Sequence, residues 1–284
     1  MQRDRANQAN GSAADYALHA MQSPVWVVIP TYNEADNVEK IVRATSLELQ
    51  RVVDGEYRIL VVDDGSPDGT GAIADALARE LGVVEVLHRR SKDGLGQAYL
   101  AGFERALAAG AELVMEMDAD FSHDPAYLGA LLAASDSADM VLGSRYVPGG
   151  GVRDWGLLRR LISRGGGLYA RTILRVDVRD LTGGFKCIHR RVLEAIDLGS
   201  VRGEGYVFQI EVTYRALLAG FKVVEVPIVF RDRTAGSSKM SPYIALEAMW
   251  LVPFLPSHGR PAIDRAANEN QRRKPPGTAL PPSA

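Results

Sequence analysis

The chain has 284 residues, of which 46% are hydrophobic and 24% charged, and its formal net charge at pH 7 is −2. This length and composition are ordinary for a globular protein and allow one large domain or two small ones. The nearly balanced charge gives no indication of a nucleic-acid partner. The single cysteine, Cys187, excludes an internal disulfide framework and fits a reducing compartment, and it is predicted to be a small buried apolar residue.

Both ends of the chain are polar. Residues 1–23 contain no apolar run and are predicted to be a disordered leader, not a secretory signal. Residues 257–284 are rich in proline and are predicted to be a disordered tail. The apolar stretch Tyr243–Pro256 is shorter than the roughly 20 apolar residues that a membrane span needs. The sequence therefore predicts one folded domain over residues 24–256 and no transmembrane helix.

Strand and helix patterns alternate through the first half of the chain. The predicted strands are Val25–Ile29, Arg58–Val62, Val83–Leu87, Leu113–Met117 and Met140–Leu142. The predicted helices between them are Glu34–Val53, Thr70–Leu81 and Gly96–Ala109. Continuous apolar strands separated by amphipathic helices predict an α/β fold, with a mostly parallel central sheet flanked by helices. Ligands of such sheets bind beyond the carboxyl ends of the strands.

Three of the predicted strands end in acidic clusters. Glu34 lies beyond the first strand, Asp63 and Asp64 follow the second, and Asp118 and Asp120 follow the fourth. Carboxylates crowded on one rim repel each other unless a cation neutralises them. One acidic strand end would be unremarkable, but three on the same rim predict a binding site.

Asp118 and Asp120 flank one small residue, so in an extended segment both carboxylates point to the same side. This arrangement suits Mg²⁺ or Mn²⁺ with positions left open for diphosphate oxygens. The alternative is a turn whose aspartates cap the following helix. Asp124 fits that capping role, and His123 is predicted to be an exposed loop residue.

The segments after the second and third strands allow two interpretations each. Asp63 or Asp64 could accept hydrogen bonds from a base or ribose, while the residues that follow form a turn with Thr70 as a helix N-cap. Gly94 and Gly96 resemble a dinucleotide fingerprint only weakly, which does not favour an NAD-dependent oxidoreductase. They are predicted to let a loop pass closely beneath a nucleotide.

The second half of the chain is basic where the first is acidic. Arg145 follows a strand, and Arg231, Arg233 and Lys239 surround a glycine-containing segment. Cations around such a loop could clamp an anion, with arginine providing bidentate contacts. The alternative is an ordinary solvated loop.

Residues Trp155–Arg179 form a basic amphipathic pattern. Leucines and isoleucines fall on one helical face, and Arg160, Arg164, Arg171 and Arg175 cluster on another. This pattern suits an interfacial helix on an anionic membrane, or a surface helix whose apolar stripe packs on the core. Three consecutive glycines at 165–167 predict a break in this helix.

Taken in order, the motifs resemble a known family. They are IPTYNE, VVDDGSPDGT, DGLGQAY, MDADFSHDP, GSRYVPGGGV, LTGGFK and FRDRTAGSSK. Together they resemble the family 2 glycosyltransferases of the GT-A fold, a Rossmann-like fold of nucleotide-diphospho-sugar transferases, and within these the polyprenol (dolichol) phosphate mannose synthases. The resemblance implies inverting transfer of mannose from GDP-mannose to a polyprenyl monophosphate. The alternatives are a UDP-sugar donor on the same fold and a non-catalytic nucleotide-sensing protein.

The resemblance also implies roles for individual residues. The nucleoside would be held by Pro30, Tyr32, Glu34, Val61 and Asp63. Asp118 and Asp120 would bind the metal, and Ala119 would line the sugar nucleotide. Ser122 stands where some relatives carry a glutamine ligand, so it is a shorter third ligand or water completes the shell.

The basic residues would contact the phosphates. They are Arg145, Arg159, Arg233 and Lys239. The residues implied to carry catalysis are Asp120, Arg145, Arg233 and Lys239. Because a phosphate acceptor is already ionised near neutral pH, the reaction needs no strong general base. This agrees with the lack of an evident catalytic histidine.

A lipid acceptor also implies a place in the cell. We expect the protein to be cytoplasmic and peripheral to the cytoplasmic face of the membrane. It would be held there by residues 155–179, by residues 243–255, or by a membrane-protein partner. The sequence leaves open the prenyl chain length, the preferred metal and the oligomeric state.

Overall fold

The computed structural model describes residues 24–231 and 251–255. The strands are β1 Val25–Thr31, β2 Tyr57–Asp63, β3 Val84–His88, β4 Leu113–Glu116, β5 Met140–Ser144, β6 Gly151–Val152, β7 Lys186–His189, β8 Val223–Pro227 and β9 Val229–Phe230. The α-helices are α1 Val38–Val52, α2 Thr70–Leu81, α3 Leu95–Ala108, α4 Leu128–Ser135, α5 Leu157–Leu174, α6 Arg190–Ala195 and α7 Gly205–Leu218. Short 3₁₀ helices cover Pro125–Tyr127, Leu198–Ser200 and Val252–Phe254.

Some predictions fall outside the described residues. These are the leader at 1–23, the tail at 257–284, the cations Arg233 and Lys239, and most of the segment 243–255. Within the described residues, no helix is both long and apolar enough to cross a membrane.

The central sheet has seven strands in the order β3-β2-β1-β4-β7-β5-β8. The neighbours β3-β2, β2-β1, β1-β4 and β5-β8 are parallel, whereas β7 runs antiparallel to both β4 and β5. Strands β6 and β9 form a separate parallel pair. The predicted strands and helices of the first half are all present, with ends that differ by a few residues.

Side chains alternate between the two faces of the sheet and build a hydrophobic core on each. Val28 and Val62 belong to the core that α3, α5, α6 and α7 cover. Val27 and Val61 belong to the core that α1, α2 and α4 cover. Burial on both faces explains why these strands are continuous apolar runs. Cys187 on β7 is fully buried as predicted, and burial raises the pKa of its thiol to about 12.

The predicted break in the basic amphipathic segment is wrong. Helix α5 runs without interruption from Leu157 to Leu174, through the three glycines. Each glycine inside a helix costs about 1 kcal/mol, or roughly 3 kcal/mol for the three, which the packing of Ala170 and Leu174 on the core can offset. Gly167 is buried, and a Cβ there would stand 3.7 Å from the carbonyl oxygen of Arg179, which is an ordinary van der Waals distance, so the packing does not require glycine at this position.

Candidate active site

A cavity of about 400 Å³ lies at the carboxyl ends of the parallel strands. All three acidic strand ends contribute to its wall, through Glu34, Asp64 and the Asp118–Asp120 segment. This is the edge at which ligands of parallel sheets bind. The predicted convergence of the three clusters on one rim is confirmed.

Asp118 and Asp120 lie in the segment that leaves β4, and both line the cavity. Asp120 is buried, and its Oδ1 accepts a hydrogen bond from the Ser122 backbone N–H at 3.0 Å. Asp118 is more accessible, and its Oδ1 accepts from the Tyr99 hydroxyl at 3.1 Å. Burial is the largest cause that raises the pKa of the Tyr99 hydroxyl, and the neighbouring Asp118 carboxylate raises this pKa further.

The donor set is suited to a divalent cation that keeps open positions. Ser122 also lines the cavity, and its buried hydroxyl has no hydrogen-bond partner among the described residues. An orphaned buried oxygen beside two carboxylates fits a hard cation. No group of three or more His, Cys, Asp or Glu side chains with metal-site geometry occurs in the described part of the chain, so the remaining positions would fall to substrate oxygens or water.

His123 is buried, which makes the predicted exposed loop histidine wrong. Its Nδ1 accepts a hydrogen bond from the Asp118 backbone N–H at 3.1 Å, and its ring stacks on Phe185 with centroids 5.0 Å apart. Burial lowers the pKa of its imidazole, although the neighbouring aspartates act in the opposite direction. Neutral His123 therefore stabilises the Asp118 segment by accepting the hydrogen bond from its backbone. Asp124 caps the following helix as predicted, since its Oδ1 accepts from the Ala126 backbone N–H at 3.0 Å.

The two aspartates at the end of β2, Asp63 and Asp64, make different contacts. Asp64 lines the cavity and receives a hydrogen bond from Arg89 at 2.5 Å. Burial raises the pKa of Asp64, partly offset by Arg89. Asp63 instead accepts from the Ser66 hydroxyl at 2.5 Å and is absent from the cavity wall, while Val61 is a core residue behind it. The nucleoside-binding roles implied for Asp63 and Val61 remain predictions.

Residues after β1 form the neighbouring wall. Pro30, Tyr32 and Glu34 all line the cavity, and the Lys92 ammonium lies 4.2 Å from the centre of the Tyr32 ring. The Glu34 backbone N–H donates to the Thr70 hydroxyl at 2.9 Å, which ties this loop to the start of α2.

The turn before α2 differs from the prediction. Thr70 is the first residue of α2 and not its N-cap, a position held by Gly69. Asp68 accepts from the Thr70 backbone N–H at 3.0 Å and from its hydroxyl at 2.6 Å. Asp68 thus satisfies the Thr70 backbone N–H, one of the first donors of the helix that have no partner within it.

The two glycines after β3 pack closely against another loop, while their passage beneath a nucleotide remains a prediction. Gly94 has a φ of +98°, and a Cβ there would collide with the Glu204 carboxylate. A Cβ on Gly96 would stand 2.7 Å from the Gly203 carbonyl oxygen. Both Gly94 and Glu204 line the cavity, so the contact helps to shape it.

Arg145 is the buried cation of the cavity, and Asp180 holds it in place. Its Nε and Nη2 donate to the two Asp180 oxygens at 2.7 and 2.6 Å, and Nη2 also donates to the Thr182 hydroxyl at 2.8 Å. Burial disfavours the charged guanidinium, but Asp180 more than offsets this and raises the pKa of Arg145. A bidentate pair fixes both position and orientation. Asp180 was not predicted from the sequence.

Trp155 and Arg159 stand beside Arg145 in the same wall. The Arg159 guanidinium lies 4.3 Å from the centre of the Trp155 ring, a cation–π contact. The Trp155 indole N–H is buried and has no acceptor among the described residues. Trp155 was predicted only as the first residue of an amphipathic segment, so its place in the site was missed.

A buried ion pair supports the floor of the site. Glu116 on β4 faces Lys186 on β7 with a separation of 3.6 Å, and both side chains are fully buried. Burial raises the pKa of Glu116 and lowers that of Lys186. The Lys186 ammonium also donates to the side chain of Gln209, which lines the cavity. The pair therefore links β4 and β7 to helix α7 beneath Asp118.

The cavity collects most of the predicted site. Of the predicted residues, the cavity wall includes Pro30, Tyr32, Glu34, Asp118, Ala119, Asp120, Ser122, Arg145 and Arg159. It also includes residues that were not predicted as ligands, among them Lys92, Trp155, Thr182, Glu204, Tyr206 and Gln209.

A family model described as Glycosyl transferase family 2 matches residues 26–197, more than half of the 284 residues. The chain belongs to glycosyl transferase family 2. The matched region extends from β1 to the residues after α6, so this glycosyltransferase carries both the acidic strand ends and Arg145 inside the family region.

Two curated relatives are similar over most of this family 2 chain. Polyprenol monophosphomannose synthase of Mycolicibacterium smegmatis is 48% identical over 258 residues, which are 90% of this chain and 95% of the relative. Undecaprenyl-phosphate mannosyltransferase of Micrococcus luteus is 46% identical over 227 residues, which are 79% and 90% of the two chains. Both confirm the resemblance drawn from the sequence motifs.

A solved structure shares the fold of this glycosyltransferase at low sequence identity. Glucosyl-3-phosphoglycerate synthase from Mycobacterium tuberculosis, in complex with Mn²⁺, UDP-glucose and glycerol 3-phosphate, is 18% identical with a TM-score of 0.59. The match covers 89% of this chain and 86% of that one. Together with the family match, this likeness confirms the predicted GT-A fold.

Proposed function

We propose that this glycosyltransferase transfers mannose from GDP-mannose to a polyprenyl monophosphate, with inversion at the anomeric carbon. The product, polyprenyl-phosphate mannose, would serve downstream glycan or lipoglycan synthesis. The observation that carries this proposal is that one cavity joins the Asp118–Asp120 pair to the buried Arg145 and the adjacent Arg159. The names of both curated relatives, at 46% and 48% identity, support the same acceptor class and sugar.

The nucleotide would bind along the walls formed after β1 and β2. Pro30, Tyr32 and Glu34 would hold the nucleoside, as the family resemblance implies. Asp64 is well placed to accept a hydrogen bond from the base or ribose, because it lines the cavity while Asp63 turns into its own loop. Lys92 above the Tyr32 ring adds a cation to this wall.

Asp118, Asp120 and Ser122 would hold Mg²⁺ or Mn²⁺. A divalent cation bound there would neutralise negative charge on the departing diphosphate. Ala119 would lie against the sugar nucleotide. Arg145 and Arg159, with Arg233 and Lys239 from beyond the described residues, would complete the phosphate contacts.

The proposed transfer needs no residue to accept a proton. An anionic oxygen of the polyprenyl phosphate attacks the anomeric carbon, the bond between that carbon and the diphosphate oxygen breaks, and GDP leaves. The only histidine that lines the cavity among the described residues is His123, whose Nδ1 is engaged by the Asp118 backbone N–H. A buried, hydrogen-bonded imidazole agrees with chemistry that needs no general base.

Donor choice is tested by isothermal titration with Mn²⁺ present. We expect GDP-mannose to bind at least about tenfold more tightly than UDP-glucose, a difference of roughly 1.4 kcal/mol. The GT-A fold alone does not decide this, since the solved neighbour holds UDP-glucose. Tighter binding of the uridine nucleotide would contradict the assignment of GDP-mannose as the donor and favour a UDP-sugar transferase.

We also propose that α5 holds the protein against the cytoplasmic face of the membrane. Leu157, Leu161 and Leu168 are 79%, 68% and 63% exposed, so these leucines face outward, whereas Ala170 and Leu174 of the same helix pack on the core. Helix α5 begins at Leu157, two residues after Trp155, and Trp155 lies in the wall of the cavity. An exposed apolar face with flanking arginines suits an interfacial helix. A membrane-protein partner on the same face is the other outcome.

If the exposed leucines of α5 enter the membrane, replacing one of them should weaken the binding of the protein to lipid vesicles. Leu161→Asp is expected to reduce co-sedimentation with phospholipid vesicles by roughly tenfold, because a leucine that enters the acyl boundary contributes about 1.5–3 kcal/mol. Leu47→Asp is the matched control, since Leu47 is 64% exposed but lies on α1. Equal loss by both variants, or by neither, would contradict the role of α5.

A further inference from the structure

A second cavity, of about 450 Å³, lies beside α5 outside the catalytic cavity. Arg164, Leu168 and Arg171 of α5 form one side, and Arg145, Tyr146 and Arg179 contribute to the others. Of these residues only Arg145 also lines the catalytic cavity. The proposed reaction therefore leaves the arginines at 164, 171 and 179 without a task.

The charges of this second cavity are strongly unbalanced. Asp180 takes up the charge of Arg145, and Arg171 pairs at 3.1 Å with Asp177, whose side chain is 99% exposed. The guanidinium groups of Arg164 and Arg179 form no ion pair within 4.0 Å in the described part of the chain, although the Arg179 backbone N–H donates to the Glu225 carboxylate at 2.8 Å. Arginines grouped in this way favour binding of an anion, and the buried Nε of Arg171 lacks a hydrogen-bond partner there.

The surroundings indicate what kind of anion fits. Guanidinium groups match the oxygens of a phosphate, and Leu168 lines the same cavity while 63% exposed. Leu168 also continues the apolar face of α5 formed with Leu157 and Leu161. A ligand that presents a phosphate next to an apolar chain satisfies both features, whereas a free phosphate would leave the leucine uncovered.

We propose that this cavity binds the phosphate headgroup of an anionic membrane phospholipid. The inference rests on the proposed membrane-facing role of α5 and adds a defined headgroup site to it. A bound lipid there would fix the orientation of the protein on the membrane surface, and so the direction in which the adjacent catalytic cavity faces the membrane. The site differs from diffuse electrostatic attraction because particular arginines, not total charge, determine binding.

The test compares two triple variants of equal charge by co-sedimentation with vesicles of phosphatidylglycerol in phosphatidylcholine. Arg164→Gln/Arg171→Gln/Arg179→Gln empties the cavity of its unassigned cations. Arg153→Gln/Arg160→Gln/Arg175→Gln removes three nearby arginines that do not line it. We expect the first to weaken binding to the anionic vesicles at least about tenfold more than the second, and neither to change binding to pure phosphatidylcholine.

Three outcomes would overturn the proposal. Equal losses by the two triple variants would mean diffuse attraction. Unchanged vesicle binding by the first variant would remove the site. Inorganic phosphate that binds the wild type but not the first variant, with equal vesicle binding by both, would assign the cavity to a free phosphate. Thermal unfolding shows that each variant is folded, and Arg164→Lys/Arg171→Lys/Arg179→Lys provides a charge-preserving check.

A parallel assay separates this proposal from the proposed function. Transfer from GDP-mannose to a short-chain, water-soluble prenyl phosphate needs no membrane, so the first triple variant should retain it within about twofold. Absence of transfer in the wild type would contradict the proposed function, and the headgroup site would then be judged from the vesicle binding alone. Full transfer together with unaltered vesicle binding would contradict only the headgroup site.

Discussion

Replacing Asp120 with asparagine is expected to lower mannose transfer by about 1000-fold or more while leaving the protein folded. A metal that stabilises the departing diphosphate contributes several kcal/mol to the transition state, and each 1.36 kcal/mol is a factor of ten in rate. Asparagine keeps the volume of the buried side chain, and its amide oxygen can still accept from the Ser122 backbone N–H. The change therefore removes charge with little loss of structure.

The measurement pairs transfer rates with Mn²⁺ affinity. Asp120→Asn should weaken Mn²⁺ binding together with transfer, since both depend on the same carboxylate. Asp124→Asn is the matched control, because Asp124 lies in the same loop but caps the 3₁₀ helix through Ala126, a task asparagine performs equally well. Rates of Asp120→Asn within a few-fold of wild type would remove this carboxylate from the metal site.

Replacing Asp180 with asparagine is expected to have the next largest effect, on both stability and transfer. It leaves the buried Arg145 guanidinium without its neutralising partner, which costs about 3 kcal/mol or more. It also frees the arginine from the bidentate contact that positions it in the cavity wall. A misplaced phosphate ligand lowers transfer by roughly 100-fold.

A double variant separates the two effects. Arg145→Met/Asp180→Leu removes both charges, so much of the lost stability should return, because apolar residues often replace a buried ion pair without cost. Transfer should stay as low as in Arg145→Met alone. Full recovery of kcat in the double variant would show that the pair is structural, with no part in the reaction.

The sequence predicts most of the fold because the local patterns agree with the final packing. The strands of the parallel half are apolar on both faces, and the acidic residues that follow them stand where parallel strands end. Glu34, Asp118 and Asp120 could thus be assigned to one rim before their distances were known, whereas Arg145 was assigned to the site through the family resemblance. Strand β7 was missed because it is short, and its Lys186 is a charged residue buried by a partner far away in the chain.

The missed site residues share a physical cause. Asp180 follows an arginine in a loop, and nothing local shows that it neutralises Arg145 from 35 positions away. His123 looks like a loop residue until Phe185 covers its ring. Helix α5 crosses three glycines because tertiary packing outweighs local propensity, a balance that only the assembled core reveals.

The most direct test is transfer of radiolabelled mannose from GDP-mannose to a short polyprenyl phosphate, with and without EDTA. The proposed function predicts a labelled lipid product that EDTA suppresses and that added Mg²⁺ or Mn²⁺ restores. Label that reaches the lipid from UDP-glucose but not from GDP-mannose would contradict the assigned donor. Transfer that continues unchanged in EDTA would contradict the metal site at Asp118 and Asp120.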